Sequence, residues 1–170
     1  MPRVRLIEEP EALSQEQSEV FEEIVASRGR MLRPFAVLLH RPQIARGVAD
    51  LGAVIRYQGT LSDGVRELAI CTTAIERDCE FEWSAHLPLA REAGVSQETL
   101  DAVQSRTGSA DDSDAAVVEF ARALCRTGAV DASIFGDVRS RFGDDGAVEL
   151  ASTVGYYMML AVVMSAADAC

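Results

Sequence analysis

Four side chains between residues 67 and 86 have types and spacing suited to proton and thiol chemistry: Glu67, Cys79, Glu82 and His86. At ~100° per residue, Cys79, Glu82, Trp83 and His86 fall at offsets of 0, 3, 4 and 7, so they share one face of a helix. A carboxylate one turn before His86 can hydrogen-bond a ring nitrogen and orient the imidazole as a general acid or base. Cys79 directly follows Asp78, which reads as a helix cap, and a thiol in the first turn meets unpaired backbone amides that favour the thiolate. The neighbouring acids push the other way. Glu67 lies twelve residues before Cys79, far enough for a preceding helix to turn back and bring a second carboxylate to the same pocket. The same residues also have ordinary readings: a small buried thiol, a surface Glu–His pair and a core tryptophan. Spacing alone leaves both sets open.

The elements that must position these groups read as helices almost throughout. Pro10 and the acidic run after it predict a helix from about Glu11 to Ser27, with Val20, Phe21 and Ile24 on one stripe and Gly29 ending it. Pro42 suits the first turn of a helix carrying Ile44, Val48, Leu51, Val54 and Ile55. Ser62 reads as the N-cap of the segment holding Glu67, and Asp78 as that of the segment holding Glu82 and His86. Pro88 falls inside the second segment and predicts a kink or local break. Ser96, Asp114 and Asp131 read as further caps. Thr107 to Asp114 (TGSADDSD) is the one clear polar linker. Eight or so helices with short connections imply a single all-α domain over residues 1–170, a helical bundle.

Composition limits what such a bundle can do. Its 170 residues are 48% apolar and 25% charged, the balance of a globular protein with a real core. Twenty-seven acids against sixteen arginines, with no lysine, give a net charge of −11, which argues against nucleic acid and anionic membrane as partners. The N-terminal stretch has no apolar run of the secretory kind, so a cytoplasmic location is expected. Cys71, Cys79, Cys125 and Cys170 form no CxxC, and each is expected as a free thiol. His40 is remote from His86 and no ligand spacing is present, so neither a metal nor another cofactor is expected. The apolar stretch Ala151–Ala167 reads as a buried or interfacial helix rather than a membrane span.

The segment RELAICTTAIERDCEFEWSAHLPLAREAGVSQETLDAV, Arg66 to Val103, resembles the core of the carboxymuconolactone decarboxylase superfamily, which includes alkylhydroperoxidase D. Weaker similarity extends to LHRPQIARGVADLG upstream and VELASTVGYYMMLAVVMSAAD near the end. The spacing of Glu67, Cys79 and His86 matches the hydroperoxidase pattern of Glu, CxxC and His, but Glu82 stands where that pattern has its second cysteine. The EWxxH arrangement is similar to a branch of the superfamily without CxxC. The resemblance implies an all-α fold of the alkylhydroperoxidase D type, a trimer or hexamer of identical subunits, and a small-molecule substrate. It also implies Glu67, Cys79, Glu82 and His86 as catalytic groups, with Trp83 and Arg66 as substrate-binding candidates and Arg91 as another local cation. The expected activity is cofactor-free proton transfer or decarboxylation on a small carboxylate or lactone, in which a carbanion left by loss of CO₂ is held and reprotonated. The alternative within the superfamily is thiol-dependent peroxide reduction through Cys79, an antioxidant activity of the peroxiredoxin kind. An alternative from another class is a non-catalytic helical oligomer that binds small molecules on the same scaffold.

Overall fold

The computed structural model describes residues 2–108 and 112–170; residues 109–111 of the expected linker lie outside that range. Eight helices and no strand occur among the described residues, as the all-α expectation requires. By contact density the chain falls into two compact units, one running to Gln58 and taking in Val162–Ala169, the other Gly59–Ala161 with Cys170.

In the first unit, α1 (Gln15–Arg28) starts later than the sequence predicts. Ala12 takes a left-handed conformation (φ 56°), and Ser14 and Gln17 exchange hydrogen bonds in a capping box that sets the true start. Gly29 ends the helix at φ 77°, the left-handed geometry expected of it. The short α2 (Arg33–Leu38) opens on Pro34 and leads to α3 (Pro42–Tyr57). The apolar stripe of α3 is turned from the expected one. Ala45, Val48, Ala49 and Ile55 are buried, while Ile44, Leu51, Val54 and Tyr57 are exposed.

The second unit holds α4 (Asp63–Glu76), α5 (Glu80–Glu92), α6 (Gln97–Gln104), α7 (Asp112–Thr127) and most of α8 (Ala132–Ala166). Ser62 and Ser96 cap α4 and α6 through their side chains, and the Asp131 carboxylate accepts the Ser133 and Ile134 amides at 3.0 and 2.9 Å. Asp114 is not a cap. It lies within α7, and its carboxylate accepts the Thr99 hydroxyl at 3.2 Å. Pro88 does not interrupt α5. Pro88 and Ser84, whose carbonyl loses its helical donor, are both exposed, so water can satisfy that carbonyl. α8 is two helical stretches that meet at a kink, as expected after residue 131: Gly143 (φ 72°) is not helical and separates them. α8 is long and apolar enough to cross a bilayer by length and composition, with half of its most apolar window buried.

The core of this unit packs Leu68, Trp83, Leu100, Phe120, Leu150 and Val154. Nine consecutive residues of α4, Arg66–Ala74, are buried, so this helix is enclosed on all sides. The buried Glu76 carboxylate ties α4 to α7 by meeting Arg122 at 3.1 Å and Arg126 at 2.7 Å.

Glu149 on α8 fixes the entry to α4, accepting the Thr60 amide and hydroxyl at 2.7 and 2.8 Å and the Leu61 amide at 3.1 Å. Partial burial raises its pKa, but these three donors outweigh burial and hold its carboxyl below the usual range. A depressed carboxyl stabilises the fold above its unfolded pKa and loses that contribution as pH falls through the folded value. Glu149→Gln is therefore expected to cost about 1–3 kcal/mol near neutral pH. Thermal unfolding should show the gap between the variant and the parent closing below about pH 4.

Candidate functional site

The site is built on the α4–α5 hairpin, whose turn is only three residues long. The Asp78 amide donates to the Ile75 carbonyl at 3.1 Å and the Cys79 amide to the Ala74 carbonyl at 2.9 Å. Asp78 adopts φ 51° to make the reversal, so it is not the N-cap expected of it; Cys79 is. The left-handed backbone suits a short polar residue, and the Asp78 carboxylate turns outward to pair with Arg106. Cys79 caps α5 through its backbone alone, its carbonyl accepting the Trp83 amide at 3.1 Å.

Folding α5 back along α4 brings Glu67 against His86 across nineteen residues of sequence. The Glu67 Oε2 atom lies 2.6 Å from His86 Nδ1, and Glu82 Oε2 lies 3.5 Å from His86 Nε2. Glu67, Glu82 and His86 are 2%, 3% and 4% exposed, so the imidazole bridges two carboxylates away from bulk water. Each ring nitrogen faces an acceptor, and the Glu67 contact fixes the ring's orientation. Proton movement between Nε2 and Glu82 then needs no rotation of the ring.

Arg66 is held within this cluster. Its guanidinium donates to Asp63 at 2.7 Å and lies 3.6 Å from Glu67 Oε1. The residue expected to bind a substrate carboxylate is thus 8% exposed and engaged by two carboxylates of its own helix. Trp83 is also buried, packed in the core of the second unit, but it borders a cavity of about 470 Å³. Asp78, Cys79 and Glu80 line the same cavity with Ser105 and Arg106. Arg91 donates instead to Gln97 at 2.9 Å.

Cys79 is 1% exposed, and the Cys170 thiol donates to the Ala161 carbonyl at 3.7 Å. The other two thiols belong to the core. Burial, helped by the charge of Glu67, pushes Cys71 up to about 12; burial pushes Cys125 up to about 11. Among the described residues no group of three or more His, Cys, Asp or Glu is arranged to hold a metal ion.

Two members of the site were not legible as such in the sequence. The Tyr157 ring meets His86 edge to face at a centroid distance of 5.0 Å, and Tyr156 stacks on Tyr157 in the same manner at 5.2 Å. Their only sequence signal was an apolar helical segment. The assembled groups offer a buried thiol and an oriented imidazole between two acids. That equipment suits proton transfer coupled to attack by sulfur.

The carboxymuconolactone decarboxylase family model matches residues 42–124, from α3 into α7 and across the whole Glu67–His86 hairpin. The match places this core with the carboxymuconolactone decarboxylase family, and the chain has a fold of the alkylhydroperoxidase D type. No functionally curated protein matches it in sequence. Among solved structures it is similar to the alkylhydroperoxidase AhpD core of a peroxidase-related protein from Ralstonia eutropha JMP134, at 20% identity and a TM-score of 0.78. That match covers 100% of this chain and 93% of the other. A peroxidase-related protein from Silicibacter sp. TM1040 is 17% identical with a TM-score of 0.77, over 98% and 90% of the two chains. The debrominase Bmp8 is 16% identical with a TM-score of 0.74, over 96% and 89%. A cysteine-to-alanine variant of Bmp8 has been solved in complex with 2,3,4-tribromopyrrole.

Proposed function

We propose that this protein is a thiol-dependent reductase of small hydroperoxides, with Cys79 as the attacking sulfur and the Glu67–His86–Glu82 cluster moving the protons. The observation that carries this reading is the buried Glu67–His86–Glu82 cluster on the α4–α5 hairpin, with Cys79 at the start of α5 on the wall of the adjacent cavity. The peroxidase-related neighbours and the cysteine variant of the debrominase point the same way. The Cys79 thiolate attacks the terminal oxygen of the hydroperoxide, the S–O bond forms as the O–O bond breaks, and the departing alkoxide takes a proton from the relay to leave as alcohol. Cys79 becomes a sulfenic acid, and an external dithiol supplies the two electrons that restore it. A cytoplasmic setting, where dithiol reductants are maintained, fits this requirement.

Cofactor-free proton transfer at His86, the decarboxylase-like reading, is favoured by the 2.6 Å contact to Glu67 but loses its local cation, since Arg66 is engaged by Asp63 and Glu67. One assay set separates the readings, with dithiothreitol as reductant: cumene hydroperoxide, 2,3,4-tribromopyrrole and a carboxylated lactone are each offered to the protein. Dithiol oxidation matched to hydroperoxide loss is the expected result. Consumption of the lactone alone, undiminished in Cys79→Ser, would overturn the thiol reading.

The EWxxH grouping of Glu82, Trp83 and His86 marks the branch without CxxC, and the protein acts as a homo-oligomer. Four large apolar residues left exposed on α3 support that assembly. Light scattering should give a mass of three or six chains, and a stable monomer would contradict it.

A further inference from the structure

The cavity of about 470 Å³ at the α4–α5 turn has Cys79 on a wall of two kinds. Ala74, Ile75 and Trp83 supply apolar surface, while Asp78, Glu80 and Arg106 supply charge. Its volume lies near the lower end of the ~300–1,000 Å³ usual for small-molecule sites, so it fits a compact ligand better than a long chain. We infer that this cavity receives the substrate and that Asp78 and Glu80 restrict it to compact molecules without negative charge. That the ligand is a hydroperoxide rests on the thiol-dependent reading above.

The charges of the wall do not balance. Arg106 is the only cation among the described lining residues, against two carboxylates. Its Nη2 atom donates to the Ile75 carbonyl at 2.6 Å and pairs with Asp78, so its charge is already met. Asp78 (φ 51°) and Arg106 (φ 57°) both take left-handed backbone, and their pairing ties the α4–α5 turn to the turn after α6. The Glu80 carboxylate accepts the Ser84 hydroxyl at 2.8 Å, a neutral donor that leaves its charge in place. The amide end of α5 would attract an anion, but Glu80 and Glu82 in the first turn offset it. A carboxylate ligand would therefore meet two negative charges and a guanidinium shared with Asp78, in a chain of net charge −11. An uncharged ligand avoids that repulsion and buries its apolar body against Ala74, Ile75 and Trp83.

Trp83 is the chain's single tryptophan, so its fluorescence reports on the cavity. The test titrates the full chain with cumyl alcohol, its para-carboxamide and its para-carboxylate, at low and high salt. None of these carries a peroxide bond, so binding is read apart from turnover, and the amide matches the carboxylate in size. The amide should bind about tenfold more tightly than the carboxylate at low salt. High salt should narrow that gap, because Asp78 and Glu80 are exposed and screened. Glu80→Gln should narrow it as well. Asp78→Asn should narrow it further, since it removes one negative charge and releases Arg106, and asparagine tolerates the left-handed backbone. Equal affinities in the parent, or a gap that neither salt nor the two variants move, would overturn the charge restriction. Fluorescence that none of the three probes changes would overturn the cavity as the substrate site. The kcat/KM values for cumene hydroperoxide and its para-carboxylate separate this restriction from the thiol reading. Equal values would overturn the restriction and leave that reading intact. Selective binding of the uncharged probes by a protein that consumes neither hydroperoxide would support the restriction and overturn the thiol reading.

Discussion

Replacing Cys79 with serine reduces hydroperoxide-driven oxidation of dithiothreitol to the rate measured without protein. Serine is close to cysteine in size, and the backbone bonds that make residue 79 the cap of α5 do not involve the side chain. The fold should survive while the sulfur chemistry is lost. Cys71→Ser and Cys125→Ser are the controls, because both thiols lie in the core and neither is available as thiolate. A thiol pushed up to about 12 is ionised at roughly one part in 10⁵ near pH 7, and one at about 11 at roughly one part in 10⁴. Steady-state dithiol consumption by the three variants should separate Cys79 from the other two. Retained turnover in Cys79→Ser would remove the thiol from the mechanism.

His86→Gln lowers turnover by about 10²- to 10⁴-fold, the usual contribution of a positioned acid–base group. Glutamine can still hydrogen-bond the facing carboxylates but cannot carry a proton between them, so this substitution isolates the relay from the packing. His86→Ala is a harsher change. It leaves Glu67 and Glu82 buried without the ring between them, and breaking a buried charged contact of this kind costs about 3–5 kcal/mol. The alanine variant should therefore show both the rate loss and a lower melting temperature, whereas the glutamine variant shows mainly the rate loss. Stopped-flow oxidation of Cys79 in the two variants, alongside their thermal unfolding, reads the two effects separately. Equal rates in the parent and His86→Gln would place the imidazole outside the reaction.

How far the sequence reached depended on whether a feature is local. Ser62, Ser96, Asp131 and Gly29 each act within one turn of themselves, so their roles as caps and stops could be read from residue type and position. The shared helical face of Cys79, Glu82 and His86 was readable for the same reason. Glu67 needed a further step, the supposition of a hairpin, and the short turn at Asp78 provides it.

Where two local rules competed, the sequence misled. Asp78 has the side chain of a cap, but the turn needed a left-handed residue there, and the cap moved to Cys79. Capping by Ser14 and Gln17 likewise overrode the acidic run as the start of α1. The orientation of α3 was misjudged because several apolar stripes fit its sequence and burial of small Ala45 and Ala49 selected one of them. Long-range contacts left no local trace. No spacing rule joins Tyr157 to His86, since helix packing creates that contact. The engagement of Arg66 by both Asp63 and Glu67 was hidden in the same way, although all three lie on one helix.

The central claim is that the buried sulfur of Cys79 works as a nucleophile because of the groups assembled around it. Its most direct test is the second-order rate of Cys79 oxidation by cumene hydroperoxide near neutral pH, followed in single turnover and mapped to the residue. The expected rate lies far above that of cysteine in a free peptide, is confined to Cys79 and is lowered in His86→Gln. A rate equal to that of the free peptide, or oxidation spread over all four thiols, would contradict it.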